Sequence, residues 1–357
     1  MKFYKQLLSA VCIASIGYLN SQTANQTNYK TDIKSFINNY DQNNEISVLI
    51  IDNDKSEYVG FKKELNTVNE VNNSDHIFEI GSITKVFTNI LLANSVNEGK
   101  SSLNESLQSN FSFPITNGNA ITLTNLTNHS AGFPPLPTNI YKQMELTPDN
   151  PYSNYTENDL KEYLKTKIEY TFKVGERSEY SNLGMGLLGY VLTKKVGKSY
   201  EQLVKDVIFK PLSMTQSSTK ILNTTKLVKG LNEEGVVTSN WDFTNALVGA
   251  GGIKSTIVDM EKFIRKNFEN DPDYTLPLKE TFKVNKMAKI GLGWQIIDNG
   301  KQQFCWHNGG TGGYRSCLVF HKETKKAVLV LSNISAFHEN ADGVDNLCFS
   351  IFKKLMK

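Results

Sequence analysis

His307-Asn308-Gly309-Gly310-Thr311-Gly312-Gly313-Tyr314-Arg315 lies between two strand-like runs, Gln302 to His307 and Ser316 to Phe320, and carries four glycines in nine residues. A hairpin turn uses one or two glycines for backbone angles that other residues resist. The remaining glycines point to a strand edge against which a substrate can lie and at which a backbone N–H can meet an oxyanion. Working outward, Gly293 to Asp298 and Ala327 to Ser332 also read as strands, and Asp342 to Met356 reads as a final helix. At the other end, Ile33, Phe36 and Ile37 recur at helical spacing within Asp32 to Tyr40, and Ile46–Asp52 with Glu57–Lys62 form a hairpin around an Asn-Asp turn. From about Ser101 to Val237 the pattern is helical, broken by loops rich in Pro, Asn and Thr. Strands at both ends with helices between imply one antiparallel sheet built from both termini. The expected organisation is an α/β (α+β) sheet domain over 22–105 plus 235–357, with a helical domain over 106–234 inserted.

The 357 residues are 39% hydrophobic and 21% charged, which excludes a disordered, collagen-like or multi-span membrane chain. Lys2 and Lys5, the apolar stretch Leu7 to Leu19 and the small Ser21 follow the order of a secretory leader, so residues 1–21 are expected to be removed. Lipid modification at Cys12 competes, but Val11 stands where a small residue is needed. The expected location is therefore periplasmic or secreted, without a stable membrane span after cleavage. The formal charge of +3 falls to about +1 without Lys2 and Lys5, which gives no basic footprint for nucleic acid. Among 39 basic residues only Arg177, Arg265 and Arg315 are arginines. Cys12, Cys305, Cys317 and Cys348 show no metal-ligand spacing. Cys305 and Cys317 flank Thr311 symmetrically, which allows a cross-strand disulfide, although two separate half-buried thiols are the simpler expectation.

Two further motifs carry chemistry. In Ser82-Ile83-Thr84-Lys85, at a helix start, residues three apart share a face, so the Lys85 amine can reach the Ser82 hydroxyl. A hydroxyl needs an adjacent base to become a nucleophile, and a desolvated lysine can supply it. In Tyr180-Ser181-Asn182, a tyrosine with a lowered pKa could serve as a base, and Asn182 offers a donor and an acceptor to a substrate amide. Alone, each motif also reads as a helix cap with ordinary neighbours.

In this order, Ser-x-x-Lys, Tyr-x-Asn and His-x-Gly resemble the serine β-lactamase and penicillin-binding-protein superfamily, in particular the class C β-lactamases and their carboxypeptidase- and esterase-like relatives. Phe78 to Gly81, Ile121 to Pro134, Ile208 to Met214, Gly249 to Met260 and Gly291 to Trp294 resemble the family as well. The resemblance implies a five-stranded antiparallel sheet flanked by helices, with the active site in a cleft beside the helical region. It implies Ser82 as the acylated nucleophile, Lys85 and Tyr180 sharing general-base duty, and Asn182 orienting the substrate. Ser82 and Gly310 N–H groups would form the oxyanion hole, with Gly309 and His307 also lining the substrate site. No cofactor or metal is implied, and a monomer is expected to act on a small molecule or peptide.

Two departures bear on the substrate. His307 stands where β-lactamases carry a lysine, and Leu136 falls about where class C enzymes place a glutamine. Arg315, beyond the turn, is expected to offset the first by presenting a fork to a substrate carboxylate, with a solvent-facing strand residue as the alternative. The leading expectation is a serine acyl hydrolase of D-Ala-type peptides or β-lactams. A small-ester hydrolase and a penicillin-binding sensor that acylates and stalls are the alternatives. His76, His129, His321 and His338 read as surface or core residues, and Glu79 shows no carboxylate partner for acid–base work.

Overall fold

The computed structural model describes residues 29–357. The expected leader over 1–21 lies outside the described residues. The strands are β1 (Glu45–Asp52), β2 (Lys55–Glu64), β3 (Thr67–Glu70), β4 (Phe78–Glu79), β5 (Lys254–Ser255), β6 (Phe282–Lys283), β7 (Ala288–Ile290), β8 (Gln295–Asp298), β9 (Gln303–Gly310), β10 (Arg315–His321) and β11 (Lys326–Ser332). Nine of them form one antiparallel sheet in the order β3-β2-β1-β11-β10-β9-β8-β7-β6, and β4 pairs with β5 apart from it. The β1–β11 ladder, from Ile46↔Ser332 to Asp52↔Lys326, joins the two ends of the chain. The expected α/β class is correct, but the sheet has nine strands where five were expected. The short β3, β6 and β7 account for part of the difference: they pair at the margins through polar or lysine-bearing segments that carry little apolar alternation.

Side chains alternate between the two faces of the sheet, and each face builds its own core. Leu49, Ile51, Leu318, Phe320, Leu329 and Leu331 face one core. Val48, Ile50, Cys317, Val319, Val328 and Val330 face the other, which is covered by α1 (Tyr29–Ile37) and the C-terminal helix Asp342–Leu355. This alternation decides the cysteine question. β9 and β10 pair Arg315 with Gly310 and Cys317 with Asn308, so the turn centres between Gly312 and Gly313 and not on Thr311. Cys305 then points to the first core and Cys317 to the second, and Cys305, Cys317 and Cys348 are buried free thiols.

The first core is crossed by α2 (Thr84–Asn97), a helix buried along most of its length, polar positions such as Lys85, Thr88 and Asn89 included. Gly99, at a φ of +71°, follows its end as expected. Next to it lies α3 (Asn182–Val196), capped by the Ser181 hydroxyl on the Gly184 N–H at 3.0 Å. Between β4 and β5 the described residues form helices and loops, with isolated bridges but no longer strand. Among the described residues, no helix is long and apolar enough to cross a membrane.

Candidate active site

Ser82 sits in a 3₁₀ turn, Gly81–Ile83, that leads into α2. The turn is wedged against β9. Ile80 N–H donates to Ile253 O at 3.1 Å, and Ser316 Oγ donates to Ile80 O at 2.9 Å. Gly81 takes a φ of +51°, and a Cβ there would come within 2.5 Å of Gly310 N. A Cβ on Gly309 would collide with Ile80 O. These two glycines therefore serve the close approach of strand and nucleophile turn, as the excess of glycine suggested. The β8 partner of β9 ends at Gln295↔Trp306, so His307 to Gly310 have no ladder partner on that side.

Lys85 is completely buried, and its Nζ lies 3.0 Å from Ser82 Oγ, 2.7 Å from Asn182 Oδ1 and 2.6 Å from Ala250 O. Burial without a carboxylate partner drives its pKa well below the usual lysine value. The two carbonyl oxygens can only accept, so they take the two N–H bonds of a neutral amine and leave its lone pair facing the Ser82 hydroxyl. That is the geometry of a base poised on its nucleophile.

Tyr180 also borders this point: Lys85 Nζ lies 4.6 Å from its ring centroid. The expectation of a lowered Tyr180 pKa is overturned. Burial pushes it up, against smaller opposing effects of Ser82 and Arg315. A phenol that keeps its proton is a donor, and in this arrangement Lys85 is the group whose lone pair can face Ser82.

Asn182, the first residue of α3, is used from both ends. Its Oδ1 accepts from Lys85, and its Nδ2 donates to Tyr152 Oη at 3.4 Å, leaving one N–H for a substrate. His307 Nδ1 lies 2.6 Å from Asn308 O, so Nδ1 carries the hydrogen and Nε2 is an acceptor. Burial and, secondarily, the nearby Lys85 push its pKa down to about 3, which makes it a neutral group. Leu136 is buried in the first core.

Arg315 differs from expectation. Its Nε and Nη2 donate to Asp345 Oδ1 at 3.3 Å and Oδ2 at 2.5 Å, and Nη2 also reaches Asp342 Oδ1 at 3.3 Å. The same Asp345 Oδ2 accepts from Asn308 Nδ2 at 2.7 Å. The fork expected to hold a substrate carboxylate is spent on helix Asp342–Leu355, because α1 and this helix cover the face of the sheet to which position 315 points. What remains is Nη1, 3.6 Å from where a Cβ on Gly310 would lie.

Sequence reasoning missed three residues. His129, set aside as a core or surface histidine, packs its ring on Tyr180 with centroids 4.8 Å apart and accepts the Ser181 N–H at Nδ1, 3.2 Å away. Burial, then Lys85 and His307, lower its pKa to about 3. Its φ of +60°, in the turn before Gly132, is the kind of local signal a sequence does not display. Tyr152 stacks on Phe243 at 4.3 Å and holds the far side of Asn182. Glu79, also set aside, is buried three residues before the nucleophile. Among the described residues no cluster of His, Cys, Asp or Glu could hold a metal ion.

Comparison with known proteins identifies the family. The family model described as Beta-lactamase matches residues 34–346. The chain is 26% identical over 300 residues to the D-alanyl-D-alanine-carboxypeptidase/endopeptidase AmpH of Escherichia coli (strain K12), covering 76% of each chain. It is 24% identical over 277 residues to Protein flp of Staphylococcus aureus (strain COL), covering 72% of this chain and 53% of that one. In fold it is similar to the crystal structure of a beta-lactamase/D-alanine carboxypeptidase from Pseudomonas syringae, with a TM-score of 0.77 at 18% identity, over 91% of this chain and 97% of that chain.

Proposed function

Because the chain belongs to the Beta-lactamase family, we propose that it is a serine acyl hydrolase that works through a Ser82 acyl-enzyme on D-Ala-type peptides or β-lactams. The observation that carries this reading is Lys85: a wholly buried amine with two carbonyl partners and its third direction on Ser82 Oγ. Lys85 removes the hydroxyl proton as Ser82 attacks the substrate carbonyl, and the protonated Tyr180 passes a proton toward the leaving group. Ser82 and Gly310 N–H groups receive the charge that forms on the carbonyl oxygen. Asn182 offers its remaining N–H to the acyl side. Water then releases the acyl group by the reverse path.

The similarity to AmpH supports peptides ending in D-Ala as the substrate class. A second reading, hydrolysis of small neutral esters, is favoured by His307, which brings no positive charge to the strand edge. A sensor that acylates and stalls is less economical, since nucleophile, base and relay are all assembled. The reading places the enzyme in the periplasm or outside the cell, as a monomer built from a split sheet domain and an inserted helical domain.

Incubation with a labelled penicillin, with a D-Ala-D-Ala peptide and with a p-nitrophenyl ester, followed by mass spectrometry of the Ser82 peptide, separates these readings. A slowly decaying penicillin adduct with peptide cleavage supports the peptidase, and rapid turnover of penicillin supports the β-lactamase. Ester cleavage without an adduct from either of the others supports the esterase. Activity that survives Ser82→Ala would overturn the mechanism.

A further inference from the structure

The stretch Ser178 to Ser181 brings Tyr180 to the site without a helix or strand of its own, so the place of the tyrosine depends on what holds its neighbours. One residue holds both of them. The His129 carbonyl accepts the Glu179 N–H at 3.0 Å, and the His129 ring Nδ1 accepts the Ser181 N–H at 3.2 Å. In an extended chain the N–H groups two residues apart point the same way, and a partner strand would meet them with carbonyls from two residues. His129 meets them alone, with the imidazole nitrogen in place of the second carbonyl. Its φ of +60° is a backbone value that His, Asn and Asp adopt more readily than most residues. The imidazole also lies against the phenol of Tyr180, with centroids 4.8 Å apart and the rings tilted by 40°.

His129 is buried and is itself anchored. The Asn128 N–H donates to Thr124 O at 3.1 Å, at the end of the short helix Leu123–Thr127, whose Leu123 and Leu126 sit in the first core. The Asn128 carbonyl accepts from Ser178 Oγ at 2.8 Å, which adds a third tie to the same stretch. The main chain around Tyr180 is thus referred to the core through this one turn. A ring nitrogen that accepts a backbone N–H carries no proton, so the ring hydrogen of His129 sits on Nε2. We propose that His129 is a positioning residue for Tyr180: its carbonyl and Nδ1 fix the main chain on both sides of the tyrosine, and its ring sets the angle at which the phenol meets the reaction centre. The inference rests on reading Tyr180 as the group that passes a proton toward the leaving group. A relay displaced by about an ångström loses much of its effect while Ser82 and Lys85 stay in place, so the damage falls on leaving groups that need a proton.

Two esters of one acyl group separate this role from general damage, because ethoxide departs poorly without a proton and p-nitrophenolate departs without one. His129→Leu removes the ring acceptor. It should slow single-turnover acylation of Ser82 by the ethyl ester about 10- to 100-fold, and by the p-nitrophenyl ester about 3-fold or less. His129→Asn suits the same backbone and keeps an acceptor as many bonds from Cα as Nδ1, so it should recover most of the ethyl-ester rate. Since His129 acts through the phenol, adding His129→Leu to Tyr180→Phe should slow the ethyl ester no further. Equal losses on both esters, wild-type rates in His129→Leu, or losses that multiply in the double variant would overturn the proposal. Amide hydrogen exchange reads the clamp without activity: the Ser181 N–H should lose protection in His129→Leu and keep it in His129→Asn, with β1 and β11 amides unchanged in both. Nitrogen NMR of the wild type should show Nδ1 as the unprotonated ring nitrogen of His129, and a proton on Nδ1 would contradict the clamp even if His129→Leu fails to fold. If Tyr180→Phe treats both esters alike, the relay reading of the proposed function fails; intact Ser181 protection in His129→Leu is what overturns the clamp.

Discussion

Lys85 and Lys254 are both shut away from solvent, at 0% and 2% exposure, and both donate to a backbone carbonyl, yet their surroundings differ in one respect. Lys254 has the Glu79 carboxylate 3.7 Å away, whereas the polar atoms bonded to Lys85 belong to Ser82, Asn182 and Ala250 and carry no charge. A buried ammonium needs a counter-charge or it gives up its proton. On the proposed mechanism, the same side chain at the same depth is a base in one place and half of an ion pair in the other. What separates the two jobs is a single carboxylate.

The largest expected effect tests the base. Lys85→Arg keeps a hydrogen-bonding side chain but is permanently charged and has no lone pair to accept a proton, and should slow acylation by at least about 10³-fold, measured as Ser82 adduct formation over time. The next tests the ion pair. Lys254→Met leaves Glu79 buried without its counter-charge and should lower stability by about 3–5 kcal/mol in urea unfolding, with part of the loss recovered in the double variant with Glu79→Gln. If Lys254→Met were as stable as the wild type, the contrast between the two lysines would fail.

A third test uses pH. The folded pKa of Lys85 lies below its unfolded value, so the unfolded chain binds more protons and stability falls as pH drops below the lysine range. Thermal unfolding of the wild type and Lys85→Met should therefore diverge over a window below the ordinary lysine value, the wild type gaining up to about 1.4 kcal/mol per pH unit relative to the variant as pH rises through it. His129 and His307 act in a lower window: with folded values of about 3, each destabilises the protein as pH falls from the ordinary histidine value toward 3. The smallest effect is expected from Tyr152→Phe, which removes the 3.4 Å contact to Asn182 Nδ2. It should lower kcat/KM by about 2- to 10-fold. A larger loss would show that Asn182 depends on Tyr152 for its orientation.

Much of this was legible in the sequence. The Ser82–Lys85 contact follows from helical spacing, and the split sheet follows from strand patterns at both ends, because these signals are local periodicities. The marginal strands were not legible, since short polar edges such as Thr67–Glu70 pair without an apolar face. Arg315 shows a different limit. Its scarcity marked it out, but its partners Asp342 and Asp345 lie about thirty residues away on a helix that docks on the face to which position 315 points. His129 and Glu79 were set aside for the same reason: the groups that give them meaning, Tyr180 and Lys254, are brought to them only by the fold.

The account turns on a neutral Lys85 facing Ser82, and the pH dependence of single-turnover Ser82 acylation tests it most directly. The wild type should acylate at neutral pH, with a rate that falls on acidification through one ionisation below the ordinary lysine range and that is absent from Lys85→Arg. A rate that appears only as pH approaches the ordinary lysine pKa, or an adduct that forms as fast in Lys85→Arg, would contradict it.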